Sequence, residues 1–160
     1  MIMETRLSLE MLNNVSEIEI VYRRKVSCRV CERPQISSSS DTYKILLHYW
    51  SQDKIDLLEE FKVLYLNRCN RVLQIMSLSQ GGISGTVADP RLILASALKL
   101  AACSVVLAHN HPSCSLKPSV ADEQLTQKIK QAAAYHDIKV LDHLIVSLEG
   151  YFSFSDEGLL

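Results

Sequence analysis

One long stretch of mostly apolar residues, at positions 92–108, limits what this chain can fold into. It is short for a membrane-spanning segment, and a lysine and two serines interrupt it. The pair Asp89-Pro90 in front of it is typical of a helix start. The stretch therefore predicts a buried helix over 90–102 followed directly by a buried strand over 103–108. Residues 105–107 are continuously apolar, which is typical of a central strand covered on both faces.

Shorter patterns predict the other elements. Strand-like runs occupy four segments, at 61–66, 72–78, 138–146 and 151–154. Apolar residues at helical spacing predict a helix over 41–50 and another over 119–135. The buried stripe of the second helix is expected to consist of Ala121, Leu125, Ile129 and Ala132. Together these elements predict an α/β domain in which helices pack on a mixed, largely antiparallel sheet.

The segment 80–86 contains three glycines between a predicted strand and a predicted helix. It lacks the lysine and the spacing of a phosphate-binding loop. We therefore expect a turn in which two backbone segments approach each other closely, rather than a nucleotide site.

The composition is that of a globular domain and restricts the class of partner. Of the 160 residues, 48% are hydrophobic and 22% are charged, which excludes disordered and low-complexity chains. The net charge of −1 gives no support to a dedicated nucleic-acid binder, which is usually strongly basic. The first residues form no apolar run, so we expect no signal peptide and no membrane association. The five cysteines are then expected to be reduced in the cytoplasm.

The beginning of the chain is predicted to be an appendage. Residues 1–32 are expected to form an arm with an edge strand over 18–26, and the domain itself to cover 33–160. The basic stretch 23–33 is typical of a solvated face, and contact with a nucleic acid is the alternative. Cys28 and Cys31 form a single C-x-x-C pair, and their spacing in a strand would place them on opposite faces.

The residues that carry chemistry begin with His-Asn-His-Pro at 109–112, followed by Ser119 and Asp122. Side chains two residues apart at a strand end point to the same side, so the two imidazoles can converge on one point. Pro112 cannot donate to a sheet ladder, so the strand is expected to stop there. Ser119 is placed to cap the next helix, with Asp122 at its third position. From there the carboxylate can turn back toward the strand end.

Two imidazole nitrogens and one carboxylate oxygen are a ligand set that suits Zn²⁺. Three protein ligands leave the fourth tetrahedral position open, which is the pattern of catalytic zinc sites. Zinc lowers the pKa of a bound water to about 7, and a general base must then hold that water. Glu59, just before the strand at 61–66, is the candidate base.

The same residues resemble the JAMM metalloprotease motif of JAB/MPN domains, and the wider sequence resembles their RadC-like branch. The matching segments are 59–67, 89–91, 109–113, 118–119 and 141–145, and the resemblance covers roughly 33–160. It implies a cytidine-deaminase-like α/β/α three-layer fold. It also implies that His109, His111 and Asp122 hold zinc, that Glu59 rather than Glu60 is the general acid/base, and that Ser119 stabilises the tetrahedral intermediate.

The activity that this resemblance implies is that of a zinc-dependent metallopeptidase or isopeptidase. Such an enzyme hydrolyses an amide bond of a peptide or protein substrate through a metal-bound water. Cys114 stands where glycine is common in the family, and a positive φ would strain it. A Cys114 thiol within reach of the metal would favour the alternative, a non-catalytic metal-bound scaffold linked to DNA repair or recombination. His143 either orients a metal ligand or is a core histidine bonded to the backbone.

Overall fold

The computed structural model describes residues 28–82 and 85–160. A short 3-10 helix, Val30–Glu32, comes first. The α-helices are α1 (Ser39–Tyr49), α2 (Pro90–Lys99) and α3 (Val120–Ala134), and the strands are β1 (Glu60–Leu66), β2 (Val72–Gln80), β3 (Ser104–Asn110), β4 (Lys139–Val146) and β5 (Tyr151–Ser153). Every helix and strand predicted within the described residues is present, with ends that differ by up to three residues.

The five strands form one mixed sheet in the order β2-β1-β3-β4-β5. Only β3 and β4 run parallel, and the other three pairs are antiparallel, which confirms the largely antiparallel sheet. β3 lies in the middle, and its residues from end to end are buried. In the pairing register, His109 lies opposite Phe61 of β1 and opposite Ile145 of β4.

Helices cover both faces of the sheet and make it a three-layer α/β/α domain. On one face, Ile93 of α2 and Ile129 of α3 are fully buried against alternate residues of β1 and β3. On the other face, Leu46 of α1 and Ile55 pack against the intervening residues of the same strands. Replacing a fully buried leucine or isoleucine with alanine typically costs about 2–5 kcal/mol, so both layers are needed for stability.

The buried stripe of α3 differs from the predicted one. Ala121 is exposed, Leu125 and Ala132 are only half-buried, and the fully buried residues are Thr126, Ile129 and Ala133. The hydroxyl of Thr126 donates a 2.6 Å hydrogen bond to the carbonyl of Asp122. Because the hydroxyl has this partner, Thr126 can be buried within the apolar stripe.

Two other expectations concern the beginning of the chain. The edge strand at 18–26 and most of the basic stretch lie outside the described residues. Cys31 lies in the 3-10 helix rather than in a strand, so the face argument for the C-x-x-C pair was wrong. Among the residues that the structure describes, no helix is long and apolar enough to span a bilayer.

Candidate metal centre

The two histidines of the motif converge at the end of β3. His109 is the penultimate residue of the strand and is 1% exposed, whereas His111 follows the strand end and is half-buried. The chain leaves the sheet there because Pro112 has no N–H to donate. The two Nε2 atoms lie 2.9 Å apart. The sequence-based expectation that the rings face one point is therefore met in the structure.

Asp122 reaches the same point from the first turn of α3. Ser119 caps this helix, because its hydroxyl accepts from the N–H of Asp122 at 3.2 Å while Asp122 Oδ2 accepts from the Ser119 N–H at 2.8 Å. This reciprocal pair turns the carboxylate back toward β3. Asp122 Oδ1 lies 3.3 Å from His109 Nε2, and Oδ2 lies 3.7 Å from His111 Nε2. The ligand atoms of all three residues lie within 4.8 Å of one another.

The donor set fits a small divalent cation. Zn–N and Zn–O bonds of about 2.0–2.1 Å put tetrahedral ligand atoms roughly 3.3 Å apart, close to the spacing of these three atoms. His111 Nδ1 lies 2.8 Å from the carbonyl oxygen of Ser115, which can only accept, so Nδ1 carries the hydrogen and Nε2 offers a lone pair. Two nitrogens and a carboxylate oxygen therefore face one another at the spacing that a shared cation requires.

The surroundings of Asp122 favour the negatively charged form of its carboxyl group. Burial alone would raise the pKa of Asp122, but the neighbouring imidazoles of His109 and His111 outweigh it and hold that pKa well below its usual range. The hydrogen bond with Asp122 raises the pKa of His111 against the effect of burial, and the negative charge of Glu59 adds to this rise. The carboxylate thus stays ionised and available to a cation.

Glu59 and Ser119 line the cavity beside this centre. The cavity has a volume of about 340 Å³, and its walls include Glu59, Thr86, His111, Ser119 and Asp122. Glu60, in contrast, is buried and forms a 2.8 Å ion pair with Lys62. The structure therefore brings Glu59, rather than Glu60, together with His111 and Asp122.

The glycine turn predicted at 80–86 holds Glu59 in place. The N–H of Glu59 donates to the carbonyl of Gly82 at 3.0 Å, and the N–H of Gly81 donates to the carbonyl of Glu59 at 2.8 Å. A Cβ on Gly81 would collide with the carbonyl oxygen of Gly85, so this turn has no room for a side chain there. The expected close backbone approach is present, and it positions the candidate base.

The Cys114 thiol takes no part in the ligand group formed by the described residues. Its Sγ lies 3.7 Å from Asp56 Oδ1, and its N–H donates to the His111 carbonyl at 2.9 Å. The backbone of Cys114 has a φ of 59°, the left-handed conformation that glycine adopts without strain. The expected strain is therefore present, whereas the thiol points toward Asp56.

His143 lies against the metal centre, together with a residue that the sequence analysis missed. Its Nε2 is 2.8 Å from His109 Nδ1, and its Nδ1 is 2.6 Å from Thr126 Oγ1. Burial lowers the pKa of His143 well below its usual value and keeps the ring neutral. The only sequence signal for Thr126 was a hydroxyl within an apolar helix face, one turn after Asp122.

Asn110 is a second residue that the sequence analysis missed. Asn110 stands between the two histidines in the sequence and is fully buried. Its side chain forms hydrogen bonds with three backbone groups near Glu59. Its position inside the His-Asn-His-Pro motif was the signal that could have found it.

A three-layer α/β domain with a His-His-Asp group at the end of its central strand has the architecture expected of a JAB/MPN domain. The chain belongs to the RadC-like JAB domain family, whose family model matches residues 36–159.

Curated relatives of this chain carry the name UPF0758 protein. One from Flavobacterium johnsoniae is 44% identical over 147 residues, which are 91% of this chain and 62% of that protein. One from Porphyromonas gingivalis is 41% identical over 140 residues, 86% of this chain and 60% of that protein. UPF0758 protein YfjY of Escherichia coli K12 is 46% identical over 102 residues, 64% of each chain. The chain therefore spans less than two-thirds of the length of these relatives.

Proposed function

We propose that this protein is a zinc-dependent metallopeptidase or isopeptidase that hydrolyses an amide bond of a peptide or protein. The observation that carries the proposal is that one cavity is lined by Glu59, Ser119 and two members of the His-His-Asp group. Zinc bound by that group would supply a water of lowered pKa and an electrophile for the amide carbonyl.

The protein's own residues divide the remaining work. Glu59 takes a proton from the attacking water and returns it to the leaving nitrogen, as a general base and then a general acid. Both the N–H and the carbonyl of Glu59 are hydrogen-bonded to the glycine turn, so its side chain starts from a fixed position beside the cavity. Because the side chain of Glu59 starts from a fixed position, it loses less entropy on reaching the transition state.

Ser119 is the proposed donor to the oxyanion of the tetrahedral intermediate. In the structure its hydroxyl donates to Asp122 Oδ2 at 2.6 Å. The hydroxyl hydrogen must therefore rotate from the carboxylate toward the substrate when Asp122 Oδ2 is engaged by a cation. Ser119 would keep its role as helix cap during this rotation, because the cap uses the lone pair of the same oxygen.

We propose that an extended peptide binds along β2, which is an outer strand of the described sheet. The end of β2 at Gln80 leads directly into the glycine turn next to Glu59. Backbone hydrogen bonds to an exposed strand edge are a common way to hold a peptide in an extended form. The alternative, a non-catalytic metal-bound scaffold, has less support because the Cys114 thiol lies against Asp56.

The test combines zinc content with hydrolysis of a fluorescence-quenched library of linear and lysine-branched peptides. Asp122→Asn is expected to lose zinc and hydrolysis together, whereas Glu59→Gln is expected to keep zinc and lose hydrolysis. Glu123→Gln, at an exposed position beside Asp122 in the same helical turn, is the matched control and should keep both. The proposal is overturned if zinc-loaded wild type cleaves no peptide of either kind, or if Glu59→Gln cleaves them at the wild-type rate.

A further inference from the structure

We propose that Thr126 and His143 are positioning residues of the metal centre, joined to two of its ligands by one continuous chain of hydrogen bonds. The chain runs from the backbone carbonyl of Asp122 through the Thr126 hydroxyl and the His143 ring to Nδ1 of His109. Its function is to leave Nε2 of His109 without a hydrogen, facing the cation. The inference rests on the metal site of the proposed function and does not depend on which bond is hydrolysed.

The direction of every hydrogen in this chain follows from its first member. Thr126 Oγ1 lies 2.6 Å from the carbonyl oxygen of Asp122, and that oxygen can only accept. The single hydroxyl hydrogen of Thr126 is therefore committed to Asp122. The contact of 2.6 Å between Thr126 Oγ1 and His143 Nδ1 must then be a hydrogen bond donated by the ring.

The hydrogen-bond direction set by Thr126 also determines which nitrogens of His143 and His109 carry hydrogens. A neutral His143 ring with its hydrogen on Nδ1 has a lone pair on Nε2. That lone pair lies 2.8 Å from His109 Nδ1, so His109 must donate there. With its hydrogen on Nδ1, His109 can offer Nε2 to a cation, and this atom lies 3.3 Å from Asp122 Oδ1.

The opposite direction would leave two oxygens without a hydrogen between them. If His143 donated from Nε2, the Thr126 hydroxyl would have to donate to His143 Nδ1. Its oxygen would then face the Asp122 carbonyl oxygen at 2.6 Å, which is repulsive. His109 would also carry its hydrogen on Nε2 and lose the lone pair that a metal requires. The geometry thus favours the arrangement in which His109 can bind a cation.

The surroundings hold both rings in these positions. His143 and Thr126 are fully buried. The His143 ring stacks on Phe154 at a centroid distance of 4.8 Å, and the His109 ring stacks on Phe61 at 6.1 Å. Burial on this scale removes competing water, so the Thr126 hydroxyl has no solvent substitute. Removal of the Thr126 hydroxyl should therefore disrupt all the hydrogen bonds of this series, because no water can take its place.

The first measurement is zinc affinity by competition with a chromophoric chelator. Thr126→Val replaces the hydroxyl with a methyl group of similar size, and we expect zinc to bind roughly 10–100-fold more weakly. Thr126→Ser keeps the hydroxyl and should bind within about threefold of wild type. Thr42→Val is the matched control, because Thr42 is also buried and also donates to the carbonyl four residues before it, on the opposite layer. It should leave zinc affinity unchanged.

The second measurement observes the hydrogens directly. Histidine ring ¹⁵N spectra of the metal-free wild type should show His143 and His109 each with its hydrogen on Nδ1. A His143 ring with its hydrogen on Nε2 would overturn the proposal. So would a Thr126→Val variant with the zinc affinity of Thr126→Ser. If the wild type binds no zinc, the metal site itself is wrong, while the ¹⁵N spectrum still decides for or against the hydrogen-bond chain.

Discussion

The side-chain carbonyl of Asn110 accepts a 2.8 Å hydrogen bond from the backbone N–H of Glu60, which lies on the neighbouring strand. The Nδ2 group of the same side chain donates to the carbonyls of Ile55 and Leu58. One buried amide therefore joins the segment that carries Glu59 to the end of β3, where the two histidines lie. The spacing between the candidate base and the candidate metal ligands depends on this connection.

Replacement of Asn110 should be costly. Asn110→Ala leaves the backbone groups of Ile55, Leu58 and Glu60 unsatisfied in the core, so we expect a loss of about 2–4 kcal/mol in the free energy of unfolding. Urea denaturation measures this directly. Asn67→Ala is the control, because Asn67 bonds two N–H groups of a half-buried hairpin, and it should cost about 1 kcal/mol or less. Equal losses in the two variants would contradict the role assigned to Asn110.

The glycine turn allows a second comparison. Gly81→Ala places a Cβ against the backbone of Gly85 and should destabilise the protein by about 1–3 kcal/mol, because backbone must move. Gly82→Ala meets nothing within 4 Å among the described residues and should be nearly neutral. Thermal unfolding of the two variants in parallel is sufficient. If Gly82→Ala proved the more damaging change, the close approach at Gly81 would be wrong.

The left-handed backbone at Cys114 predicts a stabilising substitution. Cys114→Gly removes the strain of a side chain at φ 59° and should raise the free energy of unfolding by about 1 kcal/mol. Cys69→Gly changes another exposed cysteine, at a position that is not left-handed, and should lower it. Zinc content should be the same in Cys114→Gly as in wild type. A loss of zinc there would show that the thiol is a ligand after all.

The pH dependence of stability should contain a contribution from Asp41 at the start of α1. Hydrogen bonds from the hydroxyl and then the N–H of Ser37 lower the pKa of Asp41 from 3.8 to about 2. A carboxyl group with a lowered pKa stabilises the folded state above pH 3.8, and this contribution is lost as the pH falls toward 2. Asp41→Asn should therefore be less stable than wild type at pH 5, and the difference should shrink at pH 3.

Chemical denaturation at the two pH values measures the Asp41 effect. Asp53→Asn removes an exposed carboxylate in a turn and serves as the charge control, with little change in stability expected. A difference between wild type and Asp41→Asn that grew on acidification would have the wrong sign for a lowered pKa.

The sequence was sufficient for the parts of the fold and site that depend on local rules. His109 and His111 share a side because of strand periodicity, and Asp122 turns back because Ser119 three residues earlier makes it part of a cap. Both statements need only a few consecutive residues. In contrast, the predicted helix over 90–102 ends early, at Lys99, because the chain turns at Ala101 with a φ of 50°. No glycine or proline marks that turn.

Contacts between distant segments could not be predicted in this way. His143 faces His109 only because it lies opposite Leu107 in the β3–β4 pairing, and no local pattern sets that register. Glu60 is buried beside Lys62, and no local pattern in the sequence indicates this pairing. A charged residue in a central strand becomes acceptable only when its partner is supplied by the same fold.

His109, His111 and Asp122 are close along the chain, so a cation that joined them would close only a short loop at a small entropic cost. Glu59 reaches the cavity by a different route, since it depends on long-range pairing of β1 with β3. The three candidate ligands therefore come from two neighbouring segments, the end of β3 and the start of α3, whereas the base joins them only through the sheet. A change that loosened the pairing of β1 with β3 would displace the base and leave the candidate ligands together.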